Sequence, residues 1–318
     1  MATPLELLFD LCFVVAVAQA STKLHHALSE GHAGSGVAAF GCVFFAIWWA
    51  WMNVTWFASA YDVDDVPYRL AMFVQVIGVL VLAAGVPRAF DDHDFAIVTL
   101  GYAVMRIGLV AQWLRAARGA GPDGARTARA YALGISLCMV GWALLLLLPD
   151  AGWAPGFAVM VLAELAVPIL AERRGRTPWH PHHIAERYGL FTIIVLGESI
   201  LSATVAVQVA LDEHELGAAL FAVAGGGLLI VFAMWWVYFA RPAHEVLVSS
   251  AAAFRWGYGH YFVFASAAAV GAGLAALVDQ VSHHSELGAL AAVATVAVPV
   301  AVFLAAVTLL HGNPLTRK

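Results

Sequence analysis

The residues of this chain best suited to chemistry are carboxylates, arginines and a histidine set inside long apolar runs. Between His183 and Val207 an apolar stretch of membrane length carries Glu186, Arg187 and Glu198, and His183, Arg187, Glu198 and Ser202 share one side of a helical wheel. Near the start of the chain, Glu6 and Asp10 are one turn apart and share a face. A charged side chain at the centre of a membrane helix costs roughly 2.5 to 3.5 kcal/mol on the insertion scale, so each such group needs a partner, water or a bound ion. The chemistry this suggests is binding of a proton or cation at Glu198, with Asp10, Arg187, Arg106 or His260 facing it. His260, one turn from Trp256, is suited to giving or taking a proton near neutral pH, although a hydrogen-bonded core histidine fits the same spacing. Trp49, among Trp48, Trp51 and Trp56, offers a stacking wall for a substrate or cation, or an interfacial aromatic belt. For Glu6, Glu186, Arg187 and Arg255 the plainer alternative is a position at the membrane boundary, where charge is cheap.

The elements that must position these groups are membrane spans. The chain is 62% hydrophobic and only 12% charged, with 11 Trp and 18 Phe in 318 residues, and its mean hydropathy is +0.84. A soluble domain would carry about a quarter charged residues. The composition therefore predicts an all-α, polytopic transmembrane bundle and excludes soluble and disordered classes. With a threshold of about 20 apolar residues per span, ten helices are expected near 5–27, 36–60, 67–88, 94–117, 128–148, 153–171, 185–208, 216–240, 252–278 and 287–310. No basic residue precedes the first run, so that run is expected to stay in the mature protein and not to be a cleaved signal.

Basic residues are retained on the cytoplasmic side, and their distribution is lopsided. Arg69, Arg115, Arg118, Arg126, Arg129, Arg173, Arg174, Arg176, Arg187, Arg241, Arg255, Arg317 and Lys318 fall on one side of a ten-span arrangement. The other side holds Lys23 and Arg88 together with acidic residues including Asp91, Asp92, Asp94, Asp150, Asp212, Glu213, Glu215, Asp279 and Glu286. Both termini are thus expected in the cytoplasm. In that orientation Glu6, Asp10, Asn53, Glu164, Glu186, Arg187, Arg255 and His260 lie towards the cytoplasmic half, while Glu198 and Arg106 lie nearer the middle. A polar cavity open to the cytoplasm is expected from this bias. Arg106, inside the fourth span, is the basic residue that the charge count leaves unplaced.

An internal repeat is also expected. FAIWW at Phe45–Trp49 returns as FAMWW at Phe232–Trp236, and Arg69 and Arg255, then Gly85 and Gly271, follow at similar intervals. Helices 1–4 would correspond to helices 7–10, in parallel orientation because the offset is an even number of spans. The chain is accordingly expected to form one transmembrane domain, 1–318, with repeat halves 1–118 and 183–311 joined by 119–182.

Other chemistries find little support. Cys12, Cys42 and Cys138 have unrelated spacings inside apolar runs, which suits neither a disulfide framework nor a thiolate metal site. His180, His182 and His183 have no fixed mutual geometry, since Pro181 is expected to break the segment ahead of the helix, and no metal is assigned to them. Asp62, Asp64 and Asp65 lie in a loop without a matching second motif. No nucleotide loop, nucleophile elbow, metalloprotease motif or nucleic-acid footprint is present, and no cofactor is expected.

Three stretches carry a resemblance to a known family: PLELLFDLCFVVAVAQ at the start, WWAWMNVTWFA with the following acidic loop and Arg69, and HHIAERYGLFTIIVLGESI. They resemble the bacterial low temperature requirement protein A (LtrA) family over most of the chain. The resemblance implies a multi-pass protein of the bacterial inner membrane, and the matched positions are Glu6, Asp10, Trp49, Trp56, Arg69, Glu186, Arg187, Gly197 and Glu198. It also implies that relatives are often longer, so further helices beyond Lys318 are an expectation. The residues themselves support a transporter or proton- or cation-linked carrier for a small molecule or ion. The alternatives are an intramembrane enzyme acting on a lipid or isoprenoid, with Asp10, Glu198 and His260 as acid/base groups, and a scaffold whose buried charges pin helices together.

Overall fold

In the computed structural model of the chain, residues 2–212 and 217–311 are described. Glu213, Glu215, Arg317 and Lys318, whose charges entered the orientation count, lie outside them. The described residues form ten α-helices and one 3-10 turn, with no strand among them. The helices are α1 (Pro4–Ser29), α2 (Ala33–Tyr61), α3 (Val66–Asp91), α4 (Ala96–Gly119), α5 (Pro122–Leu145), α6 (Asp150–Glu172), α7 (Pro181–Asp212), α8 (Ala218–Phe239), α9 (Ser250–Val281) and α10 (Ala289–His311). All ten are long and apolar enough to cross a membrane. Their apolar residues are spread around the circumference, with buried polar groups such as Gln75, Arg106 and Glu198 set among them.

Two helix starts differ from the sequence expectation, and both begin at proline. α5 starts at Pro122, not near 128, so Arg126 and Arg129 belong to its first turns. α7 starts at Pro181, which initiates the helix that it was expected to precede as a breaker. Proline at the first helical position loses no backbone bond, because that N–H has no intrahelical acceptor anyway. Side chains cap the starts of α3 and α9. Asp65 accepts from the Tyr68 N–H at 3.0 Å to open α3, and Ser249 accepts from the Ala252 N–H at 3.2 Å to open α9.

The chain divides into two compact units. One comprises residues 4–12 and 50–180, hence α3 to α6 with the start of α1 and the end of α2; the other comprises 1–3, 13–49 and 181–318. This grouping places α5 and α6 with α3 and α4, where the repeat expectation treats them as connectors.

In the first unit α3 packs along α4 through glycines. A Cβ on Gly78 would stand 2.7 Å from the Gly101 carbonyl oxygen, so the two backbones touch where larger side chains would hold them apart. In the second unit α9 is the hub, packed on α7, α8 and α10. A Cβ on Gly271 would meet the Ser199 Cα of α7 at 2.6 Å, and Ser199 Oγ donates to the Ala267 carbonyl at 2.8 Å across the same contact. α1 is tied to α9 by His25 Nε2 and Ser29 Oγ, each 2.7 Å from Asp279 Oδ2. The two tryptophan motifs that suggested the repeat occupy unlike settings: Trp48 and Trp49 are buried, whereas Trp235 and Trp236 are exposed.

Candidate functional site

Within the first unit, α4 and α6 bring together two opposite charges in the middle of their spans. Arg106 and Glu164 are almost fully buried, at 2% and 1% exposure. Arg106 Nη2 lies 3.3 Å from both Glu164 carboxylate oxygens. The cluster is completed by aromatic donors. Tyr102 Oη donates to Glu164 Oε1 at 2.8 Å while accepting from Arg106 Nη2, and Trp142 Nε1 donates to the same carboxylate oxygen at 3.0 Å. The guanidinium carbon stands 4.4 Å over the Tyr102 ring, a cation–π contact. Tyr102 and Arg106 meet because they are one turn apart on α4. From the sequence, Arg106 is one of four candidates to face Glu198, with Asp10, Arg187 and His260, and Glu164 is expected towards the cytoplasmic half. The structure gives Arg106 to Glu164, and the roles of Tyr102 and Trp142 were not anticipated.

Glu198 presents the opposite case. It lies mid-way along α7, is 7% exposed, and so is turned into the protein. Its one hydrogen bond among the described residues of its unit comes from Ser202 Oγ, one turn on, at 3.0 Å, and no cation there pairs with it. Ser199, next in the chain, lines an apolar cleft of about 180 Å³ bounded by α7, α8 and α9. A buried carboxyl group that no cation meets among the described residues of its unit is suited to hold and release a proton or to receive a cation.

His260 is fully buried on α9. Its Nδ1 is 2.7 Å from the Trp256 carbonyl oxygen, which can only accept, so Nδ1 carries the hydrogen. Nε2 is then the acceptor for the Tyr238 hydroxyl at 3.0 Å. Both ring nitrogens are thus satisfied in the neutral form. The Tyr238, Trp256 and His311 rings pack around it, with His311 stacked on Trp256 at 5.9 Å between centroids. His311, at the end of α10, fell just past the expected last span and was not singled out by sequence.

The remaining candidates are distributed between the two units. Asp10, fully buried, accepts from Trp51 Nε1 at 2.7 Å. Glu6 and Arg187 are fully buried. Glu186 accepts from the Ala2 N–H at 3.1 Å. Trp49 stacks on Phe45 and meets Tyr258 edge-on at 5.5 Å, so its faces are used in packing within α2 and against α9. Arg69 is exposed and forks onto Asp64, with two bonds of 2.9 Å. Next to it Asp65 receives the Arg115 guanidinium from α4 at 2.7 Å. Hydrogen bonds from Arg115 and then from the Tyr68 N–H hold Asp65 below the ordinary carboxylate value of 3.8, and Arg69 does the same for Asp64. Among the described residues, no three His, Cys, Asp or Glu side chains are arranged to hold a metal ion. His182 instead stacks on His244 at 4.1 Å.

Ten apolar spans with buried charge inside them define a polytopic helical membrane protein. The family description "Bacterial low temperature requirement A protein (LtrA)" matches residues 1–317, and the chain belongs to that family. The chain is also similar to the uncharacterized protein RA0937 of Rhizobium meliloti (strain 1021), with 28% identity over 250 residues. That match covers 74% of this chain and 57% of the relative, so the chain spans little more than half of the relative's length. No solved structure matches.

Proposed function

We propose that this protein is a proton- or cation-linked carrier of the bacterial inner membrane, with Glu198 as the exchanging group. The observation that carries the reading is the contrast between two mid-span carboxyl groups. Glu164 is locked by a guanidinium, a phenol and an indole, which is how a buried charge pins helices together. Glu198, by contrast, has only the Ser202 hydroxyl among the described residues of its unit. A scaffold reading accounts for the first group and leaves the second without a purpose. An intramembrane enzyme would need an acid/base partner beside Glu198, and His260 has both nitrogens engaged by Tyr238 and Trp256. The concentration of basic residues on one side supports a cytoplasmic position for both termini.

The test is proton or cation flux into proteoliposomes loaded with a pH-sensitive dye. Flux in the parent protein should fall about tenfold or more in Glu198→Gln, which keeps the shape and the Ser202 contact but cannot exchange a proton, and should partly return in Glu198→Asp. Equal flux in parent and Glu198→Gln would overturn the assignment. Absence of flux with every ion, together with conversion of a co-purified lipid, would favour the enzyme.

A further inference from the structure

The hairpin of α4 and α5 carries a long cleft of about 800 Å³ on its outer surface, where Ile107 and Val140 are exposed. α4 lines it from Ala96 to Leu114 and α5 from Ser136 to Leu146, mostly with alanine, leucine and valine. The Ser136 hydroxyl donates to the Ala132 carbonyl at 2.8 Å and so is already served. The two ends of the cleft differ in charge. Beyond Ala96 stand carboxylates: Asp94 accepts from the Ala96 N–H at 2.9 Å, and Asp92 is exposed beside it. The other end is basic. Tyr102 meets Trp142 and Trp113 stacks on Tyr131, so the helices run antiparallel in a register that sets Arg129 of α5 beside the turn of Leu114 on α4. Arg118, one turn beyond Leu114, and Arg129, two turns before Ser136, continue the cleft-lining stripes of their helices. The neighbouring arginines are already paired, Arg115 with Asp65 and Arg126 with Asp123. Arg118 and Arg129 are exposed and have no acidic partner among the described residues.

We infer that the α4–α5 cleft binds a polyprenyl monophosphate from the lipid phase, with the phosphate on Arg118 and Arg129 and the prenyl chain laid along the cleft past the middle of the bilayer. Charge selects the headgroup. A phosphate monoester carries about −1.5 to −2 at pH 7, which two unpaired guanidiniums match, and each guanidinium offers a fork to the phosphate oxygens. Arg118 lies about 6 Å beyond the level of Arg129 along the helices, on packed axes about 8–10 Å apart, a gap that two extended arginine side chains close around one phosphate. Length selects the chain. From Ala96 to Leu114 the α4 wall rises about 27 Å, almost the whole hydrocarbon layer of about 30 Å. Ser136 lies near the level of Ile107, so the part walled by both helices is the half remote from the arginines. The acyl chains of a phospholipid anchored at the arginines belong to one leaflet, about 15 Å deep, and stop short of that half. A phospholipid entering from the opposite interface would bring its phosphate beside Asp92 and Asp94, where like charges repel. A prenyl chain that crosses the middle of the layer fills both halves from the basic end.

The experiment is native mass spectrometry of the purified full chain titrated with undecaprenyl phosphate, undecaprenol or dioleoyl phosphatidic acid. Undecaprenol keeps the chain and lacks the phosphate, whereas phosphatidic acid keeps the monoester phosphate on chains of one leaflet's length. Undecaprenyl phosphate should bind saturably and about tenfold or more tighter than either. Arg118→Gln combined with Arg129→Gln, at exposed positions that tolerate substitution, should lower its affinity to that of undecaprenol. Arg126→Gln should leave the affinity unchanged, because Asp123 already holds that side chain. Ala143→Trp, which fills the two-walled half from an exposed position on α5, should lower it to that of phosphatidic acid. Phosphatidic acid binding as tightly as undecaprenyl phosphate would make the cleft an ordinary phospholipid site and overturn the polyprenyl assignment. Undecaprenol binding as tightly, or full affinity in the double arginine variant, would overturn the phosphate site at Arg118 and Arg129.

Discussion

Arg106 and Glu198 lie at comparable depth in their helices, yet their surroundings differ in kind. Arg106 has a carboxylate 3.3 Å away and an aromatic ring beneath its guanidinium. Its removal takes the guanidinium away from Glu164, which is 1% exposed. Arg106→Leu should therefore destabilise the protein by about 3 to 5 kcal/mol, and Arg106→Leu combined with Glu164→Leu should recover most of that loss. Denaturation of the three proteins in mixed micelles measures this directly, and a double variant no more stable than the single one would contradict it. That a charge in the fourth span needed a partner was legible in the sequence; Tyr102, one turn away, follows from the same spacing rule but was not singled out. The identity of the partner was not, because it comes from a helix 58 positions later and no periodicity records which spans become neighbours. His260 shows the same limit from the other side: its spacing from Trp256 was visible, but the Tyr238 hydroxyl that occupies its second nitrogen comes from α8.

At the scale of elements, hydropathy located every span, while the ends were decided by local chemistry. The starts of α5 and α7 were missed by several residues because Gly- and Pro-rich segments read as loop, although proline at the first helical position begins a helix as readily as it follows one. The acidic loop before α3 has no matching second motif in the sequence, and no ligand is expected of it. Its carboxylates are instead internal clips: Asp65 caps α3 and holds Arg115 of α4, and Asp64 holds Arg69. A carboxylate whose value in the folded protein is depressed contributes stability above its unfolded value and loses it as pH falls through the folded one. The Asp65 clip should thus be intact at neutral pH and should release only below 3.8, its ordinary value. Hydrogen exchange at the Tyr68 amide checks this. Asp65→Asn should exchange faster than the parent at neutral pH, and the two should converge in acid. Equal exchange at neutral pH would show that the clip adds nothing.

For the molecule as a whole, composition dictated a lipid-embedded helical bundle, because a chain this poor in charge has no other solvent than lipid, and the lengths of its apolar runs gave ten spans. What composition could not supply was the grouping of spans, which depends on side-chain chemistry and on small-residue contacts such as Gly78 against Gly101. Nor could it separate a charge kept for architecture from one kept for exchange. The proposed function rests on that separation, in which Glu164 is held by Arg106 and Glu198 is the group that exchanges a proton or cation. Infrared difference spectroscopy on a pH titration of the protein in lipid measures it most directly, through the carbonyl stretch of a protonated carboxylic acid. The account predicts such a band that titrates reversibly, is abolished in Glu198→Gln and persists in Glu186→Gln. A titrating band that survives in Glu198→Gln, or no such band in the parent at any pH, would contradict it.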